Sequence, residues 1–378
     1  MKKLLYIANL RLPTEKAYGI QIAKMCEAFA SQGVDVTLSY PFRGNHITSD
    51  IFSYYSVKDS FKIKKIWTPD FYFPGRFDKF AVNIKSIMSA LVISLYAITQ
   101  KVNIIYSRDE WPLYFLSFFK KNLFFEAHRF SKSRMLFYKR FKNKNLKVIV
   151  ITEHLKDDFV KIGFKPENIL VAPDGVDLAE FDINVSKEEA RTQVGLPLDK
   201  KIVMYTGHLF EWKGANVLLE VARNFQNNEK DILFVFVGGM DYDITKFKEK
   251  AKGLKNILIL GHKSHKDIPF FLKAADVLVL PNSAKKDISK YYTSPLKLFE
   301  YMASKRPIVA SGTSSVREVL NENNALLTEP DNGQQLTEAI EKIISNNVMS
   351  NQLVQKAFED VKNYTWEKRV GAILNFSR

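Results

Sequence analysis

Two doubly wound parallel α/β domains joined by one connection are predicted by three observations. Short apolar strands alternate with amphipathic helical windows along the whole chain. The 378 residues are long for a single core and comfortable for two. The alternation breaks once, in a polar stretch from about Asp182 to Lys200 that ends in Leu196-Pro197-Leu198-Asp199 and suits an interdomain connection.

The candidate strands of the first half are Leu4–Ala8, Val34–Ser39, Ile104–Tyr106, Leu123–Glu126, Val148–Ile151 and Ile169–Ala172. Between the first two, the pattern from Ile20 to Ser31 predicts a helix, with Gly33 just past its end. A second series follows the connection: Ile202–Tyr205, Ile232–Val237, Ile257–Leu260, Val277–Leu280, Ile308–Ala310 and Ala325–Leu327. Each of these ends near a loop carrying Gly, Asn, Ser or Pro. In open parallel sheets ligands bind beyond the carboxyl ends of the strands, so the two domains are expected to face a shared cleft.

Hydrophobic content of 46% with 26% charged residues is that of a globular chain. The single cysteine, Cys26, excludes an intramolecular disulfide framework and a Cys-based zinc site, and fits a reducing compartment. The apolar start Leu4-Leu5-Tyr6-Ile7-Ala8 stops at Asn9 and Arg11 without a small-residue cleavage site, so a buried strand is expected there and not a leader. The longest apolar run, Ile87 to Ile98, lies downstream of Lys85 and falls short of the about 20 residues a bilayer requires, so no membrane span is expected.

Net charge is +15 and unevenly placed. Ten basic residues lie between Lys120 and Lys147 against one acid, Glu126, interleaved with Phe130, Phe137, Tyr138 and Phe141. An anionic membrane surface, nucleic acid and a plain solvated face would each suit such a stretch. No nucleic-acid-binding signature accompanies the charge, so the membrane surface is the expected partner and nucleic acid is not.

Ser294-Pro295-Leu296-Lys297-Leu298-Phe299-Glu300-Tyr301-Met302-Ala303 reads as a helix whose first turn can hold an anion. Ser294 suits the N-cap and Pro295 the first helical position, leaving backbone N–H groups without intrahelical partners. Lys297 in that turn opposes the helix dipole by about 0.3–1 kcal/mol unless an anion lies between them. Glu300, further along, is placed to accept hydrogen bonds from ribose hydroxyls. A core helix with Lys297 paired to Glu300 would show the same pattern.

Gly207 directly follows a strand and permits close backbone approach to a ligand, while Lys213, six residues on, offers a point charge for a diphosphate. The spacing is not a P-loop. His128 ends a first-domain strand, where an imidazole can bond a sugar hydroxyl or a phosphate oxygen. The other five histidines show no metal-ligand spacing. Asp241-Tyr242-Asp243 resembles a metal-binding Asp-x-Asp, but it precedes a helical window, so an N-cap Asp is expected and no metal site.

Taken together, Gly207 with Lys213-Gly214, Asp174-Gly175-Val176-Asp177, the Ser294–Ala303 segment and the C-terminal Tyr364-Thr365-Trp366-Glu367-Lys368-Arg369 resemble the retaining glycosyltransferases of family 4, which have the GT-B fold of two Rossmann-like domains. The likeness spans essentially the whole chain. It implies an acceptor-side domain over 1–185, a nucleotide-sugar domain over 186–362, and a last helix near 363–378 returning to the first. By the same likeness Lys213 binds the donor diphosphate, Glu300 its ribose, and the amides around Ser294, Pro295, Leu296 and Lys297 hold phosphate or sugar. His128 falls beside the donor sugar. Gly19, expected in the loop after the first strand, lets the chain approach the reaction centre, and Gly261 with His262 grips the nucleobase. The sequence departs from the family twice, with Tyr292 where a glutamate often touches the donor sugar and His208 where an arginine often follows the strand-end glycine.

The activity implied is hexose transfer from a UDP- or GDP-sugar to a polysaccharide or lipid-linked acceptor. It implies retention of configuration without metal or other cofactor, by a cytoplasmic protein peripheral on the inner face of the cell membrane. A nucleotide-sugar epimerase of the same fold and a non-catalytic polyanion binder are the rival readings.

Overall fold

The computed structural model of the chain describes residues 1–71, 75, 78–226 and 231–377. They form two compact units, one of residues 1–173 with 366–378 and one of residues 174–365. The division therefore falls ahead of the expected boundary at 185.

The first unit is built on seven parallel strands, β1 (Lys3–Ile7), β2 (Asp35–Phe42), β3 (Lys62–Trp67), β4 (Ile104–Ser107), β5 (Leu123–Ala127), β6 (Lys147–Val150) and β7 (Ile169–Val171), in the order β3-β2-β1-β4-β5-β6-β7. β3 is a strand the apolar pattern does not announce. It lies at the sheet edge, and its Lys62, Lys64 and Lys65 leave only Ile63 and Ile66 as aliphatic residues. Charged residues on an edge strand discourage pairing with other chains, which is why such strands lack the usual signal.

The second unit carries β8 (Lys201–Thr206), β9 (Ile232–Val237), β10 (Ile257–Gly261), β11 (Val277–Leu280), β12 (Ile308–Ser311) and β13 (Leu326–Thr328), in the parallel order β10-β9-β8-β11-β12-β13. Successive residues of β8 alternate between two cores, as the two-residue strand period requires. Ile202 and Met204 pack with Leu278, Leu298 and Met302 on one face, and Val203 and Tyr205 with Leu218, Val277 and Val279 on the other. The chain reverses direction across the sheet between β8 and β11, the switch point where such sheets open a crevice for ligands.

Three sequence expectations are corrected. The polar stretch before β8 is not an open connection: Ser186 and Glu189 form a capping box on a helix from Lys187 to Val194. Its Arg191 is buried against Asp276 and donates to the carbonyls of Ala274, Leu198 and Lys200, which fastens the helix to the second unit. Next, one described helix is long and apolar enough to cross a membrane, Phe80–Thr99, because the flanking residues extend the run beyond Ile87–Ile98. It turns Ala81, Ala90, Ile93 and Ala97 into the first unit. Finally, the aromatics interleaved with the Lys120–Lys147 charges do not form a surface stripe. Phe137, Tyr138 and Phe141 are buried from the Met135–Asn143 helix, since their spacing places them on its inward face.

The last helix, Trp366–Phe376, belongs to the first unit. Its Arg369 donates to Glu126 at 2.9 Å and to the carbonyl of Pro173 at 2.9 Å.

Candidate functional site

The second unit's switch point gathers most of the sequence-predicted residues. Gly207 follows β8 with φ of +113° and donates its N–H to the carbonyl of Val237 at 2.8 Å. A positive φ of this size is easy only for glycine. The next strand ends in Gly238, where a Cβ would lie 2.6 Å from the Gly207 oxygen, so the two strand ends press backbone to backbone.

Lys213 closes a single 3-10 turn, Glu211–Lys213, whose position is set by its neighbours. Gly214 takes φ of +75°, and a Cβ there would lie 1.6 Å from the Pro281 carbonyl oxygen, so only glycine lets the turn dock on the loop after β11. The Trp212 carbonyl then accepts from Ser283 N–H at 3.1 Å and from Ser289 Oγ at 2.9 Å. Lys213 is thus tied to both strands that flank the switch point. Burial lowers its pKa to about 8, against a partial upward pull from Glu300. Its Nζ lies 5.2 Å from the Trp212 ring centroid. His208 stacks on Phe210 with centroids 5.0 Å apart.

The helix of the Ser294 segment runs from Leu296 to Ala303 with Pro295 as its N-cap, one residue later than expected. Ser294 does not cap it: its Oγ accepts from the Asp174 N–H at 2.9 Å, and Pro295 in extended conformation occupies the boundary. The shift leaves Lys297 in the second helical position. The side chain is largely buried, and its Nζ does not pair with Glu300 but donates to the Thr206 carbonyl at 3.1 Å and lies 3.7 Å from the Tyr205 ring centroid. Burial, then repulsion from Lys213, holds the Lys297 pKa well below the usual lysine range, with Glu300 opposing. Tyr301, one turn further, receives the Thr206 N–H at 2.8 Å.

Glu300 carries a partner that the sequence pattern does not reveal. His265 faces Glu300 Oε1 from Nε2 at 3.7 Å and bonds Glu180 Oε1 through Nδ1 at 2.7 Å. Burial would lower the His265 pKa, but the hydrogen bonds and charges of Glu180 and Glu300 raise it to about 9. The imidazolium is therefore the form present at neutral pH, donating from Nδ1 to Glu180 and setting its charge against the Glu300 carboxylate from Nε2. Phe181 packs edge-on against it.

Gly261 ends β10 with φ of +70° and accepts from Gly238 N–H at 2.7 Å, while His262 beyond it is exposed. Tyr292 packs beside Tyr291 in the loop before Ser294. Asp241 and Asp243 lie in the first turn of the Asp241–Lys250 helix, but Met240 is the N-cap and neither side chain caps, so the acids complement the dipole instead.

In the first unit His128 follows β5 and bonds Glu126 Oε1 from Nε2 at 2.6 Å. Burial would raise the Glu126 pKa, but Arg369 and then His128 hold it well below the carboxylate range. An ionised carboxylate only accepts, so His128 carries its proton on Nε2. Gln21 also donates to Glu126, at 2.7 Å, and in turn accepts from Arg108 at 2.9 Å. Gly19 is not in a loop. It occupies the first turn of the Ala17–Ser31 helix, where a Cβ would lie 2.0 Å from the Tyr55 hydroxyl. That hydroxyl accepts the Thr14 N–H at 2.7 Å and donates to the Thr14 carbonyl, which explains the glycine by packing.

The family described as glycosyl transferases group 1 matches residues 186–360, most of the second unit. Among curated relatives, the putative teichuronic acid biosynthesis glycosyltransferase TuaC of Bacillus subtilis is 25% identical over 234 residues, covering 62% of this chain and 56% of that protein. The alpha-D-kanosaminyltransferase of Streptomyces kanamyceticus is 25% identical over 183 residues, covering 47% and 45%. The chain spans about half the length of these relatives. Among solved structures, Anabaena Alr3699/HepE in complex with UDP and glucose superposes with a TM-score of 0.76 at 16% identity, over 99% of this chain and 100% of that one. With its two parallel sheets, the chain has the GT-B fold.

Proposed function

From the likeness of residues 186–360 to glycosyl transferases group 1, we propose that the chain is a glycosyltransferase of the retaining family 4 type, moving a hexose from a UDP- or GDP-sugar to a polysaccharide or lipid-linked saccharide. The observation that carries the reading is the grouping of Lys213, Lys297 and Glu300 at the switch point of the second unit. Two lysines have pKa values lowered by burial, one further lowered by repulsion from the other, and the single Glu300 carboxylate that opposes both shifts leaves the site short of negative charge. A diphosphate supplies it. Charge developing on the departing nucleoside diphosphate would be stabilised by Lys213, by Lys297 and by the N–H groups at the start of the Leu296–Ala303 helix. Glu300, oriented by His265, takes the ribose hydroxyls. In the first unit, His128 is assigned a hydroxyl of the transferred sugar.

The reaction proposed proceeds with retention: the acceptor hydroxyl attacks the anomeric carbon on the face of the leaving group, and the departing phosphate takes its proton. The protein cations replace a metal in this scheme, so EDTA leaves turnover unchanged.

The proposed setting is the inner face of the cell membrane, in cell-surface glycan synthesis. Lys121, Arg129, Lys132, Lys139 and Lys144 are exposed on the first unit, as are Phe118, Phe119 and Leu136. Cations around exposed apolar side chains suit a reversible hold on an anionic bilayer.

A thermal-shift panel of UDP- and GDP-sugars with their free diphosphates tests the assignment. A true donor at 100 times its Kd stabilises the folded state by about 2.7 kcal/mol. If none of the panel stabilises the protein and none is turned over with glycan acceptors, the proposal fails.

A further inference from the structure

On the second unit a cavity of about 410 Å³ opens between the turn that carries Trp212 and the Asp241–Lys250 helix. Its volume lies in the range of small-ligand sites, about 300–1,000 Å³. Neither Gly207, Lys213, Lys297 nor Glu300 lines it, so it is distinct from the switch-point site.

The helix wall is made by Tyr242, Asp243, Lys246, Phe247 and Lys250, whose spacing of four places them on one face. A helix face turned towards a neighbouring segment is ordinarily aliphatic. Here only Phe247 is buried. Tyr242, Lys246 and Lys250 are exposed, with Lys246 Nζ 4.3 Å from the Tyr242 ring centroid. The opposite wall presents Phe210 and Trp212, whose rings stack at 6.2 Å and 27°. Lys286 adds a third cation, and the Asn216 amide oxygen accepts from Lys250 Nζ at 3.3 Å.

Aromatic faces on both walls suit the C–H faces of a pyranose, and the three lysines suit carboxylate or phosphate groups on it. Glu211 and Asp243 also line the cavity. Carboxylates accept hydrogen bonds from sugar hydroxyls, whereas they repel a phosphodiester backbone that offers few donors. That balance favours an acidic saccharide over nucleic acid.

We propose that this cavity binds a segment of an acidic glycan, holding the growing chain beside the transferase site. Its role as an acceptor hold rests on the glycosyltransferase reading; the binding itself does not.

The test is isothermal titration of the full chain at physiological salt, without donor, with a galacturonic acid hexasaccharide. Maltohexaose, polyglutamate and a single-stranded oligonucleotide serve as comparisons. The acidic hexasaccharide is expected to bind about tenfold or more tightly than each comparison. Lys246→Glu with Lys250→Glu should weaken it about tenfold or more, and Tyr242→Ala about three- to tenfold. Both variants change exposed side chains, so stabilisation by whichever of UDP and GDP stabilises the parent should persist and report an intact fold. Equal binding of polyglutamate or oligonucleotide, competition by UDP, indifference to both variants, or no binding of the hexasaccharide each overturns the proposal. A failure to bind both UDP and GDP in the same preparation would count against the transferase reading alone.

Discussion

His265 donates from Nδ1 to Glu180 at 2.7 Å while its Nε2 faces Glu300 at 3.7 Å, so one imidazolium holds two carboxylates from separate segments of the second unit. Its pKa is raised to about 9 from an ordinary value of 6.5. A raised folded-state pKa contributes stability that is fully present below about pH 6.5 and is lost as pH rises through about 9. His265→Gln should therefore be destabilised by on the order of 3 kcal/mol or less near pH 6, with the difference shrinking towards pH 10. Denaturant unfolding of both proteins across that range checks it; a gap independent of pH would mean that the imidazolium is not the stabilising species.

Lys213→Ala should remove most transfer activity and leave the fold intact, because the side chain fills no core. Losing one charge-assisted contact in the transition state costs about 2–4 kcal/mol, roughly 30- to 1,000-fold in rate. With its pKa at about 8, Lys213 also predicts that nucleoside diphosphate affinity falls as pH rises through that value, since the free protein loses the charge the ligand requires. Lys213→Arg should flatten this dependence. Binding measured from pH 7 to 10 decides, and a native affinity flat across the range would remove Lys213 from the diphosphate site.

Glu300→Gln keeps the shape of the side chain but exchanges a charged acceptor for a neutral one. Donor affinity should weaken by roughly 1–3 kcal/mol, and the free nucleoside diphosphate should weaken with it. If the sugar nucleotide alone weakens, Glu300 touches the sugar and not the ribose.

Membrane association should depend on the cations that no internal contact occupies. Arg140 donates to Ser117 and Lys142 to the Ile162 carbonyl, so these two serve the fold. Lys121, Lys132, Lys139 and Lys144 are exposed. At about 1 kcal/mol per cation near an anionic bilayer, reversing these four to Glu should abolish co-sedimentation with phosphatidylserine vesicles, while UDP or GDP, whichever stabilises the parent, still does so. Undiminished sedimentation of the quadruple variant would return the stretch to a solvated face.

Strand and helix alternation was legible in the sequence because it follows from a local period, and so was the place of Gly207 at a strand end, because the apolar run before it stops there. β3 was not legible, since an edge strand needs charge more than apolar residues, and neither was the Lys187–Val194 helix, whose polar sequence hides a buried Arg191–Asp276 pair. The inward turn of Phe137, Tyr138 and Phe141 reversed the reading of an aromatic face. The sequence by itself determined two parallel sheets, most of their strands in chain order and the excess of positive charge. Tertiary structure alone decided what each charge meets: Arg369 reaches Glu126 across 243 residues, Lys297 turns to the Thr206 carbonyl in place of Glu300, and Glu300 acquires His265. Periodicity is written between neighbours in the chain, whereas the partner of a buried charge is selected by desolvation and by whatever segment the fold brings within hydrogen-bond reach.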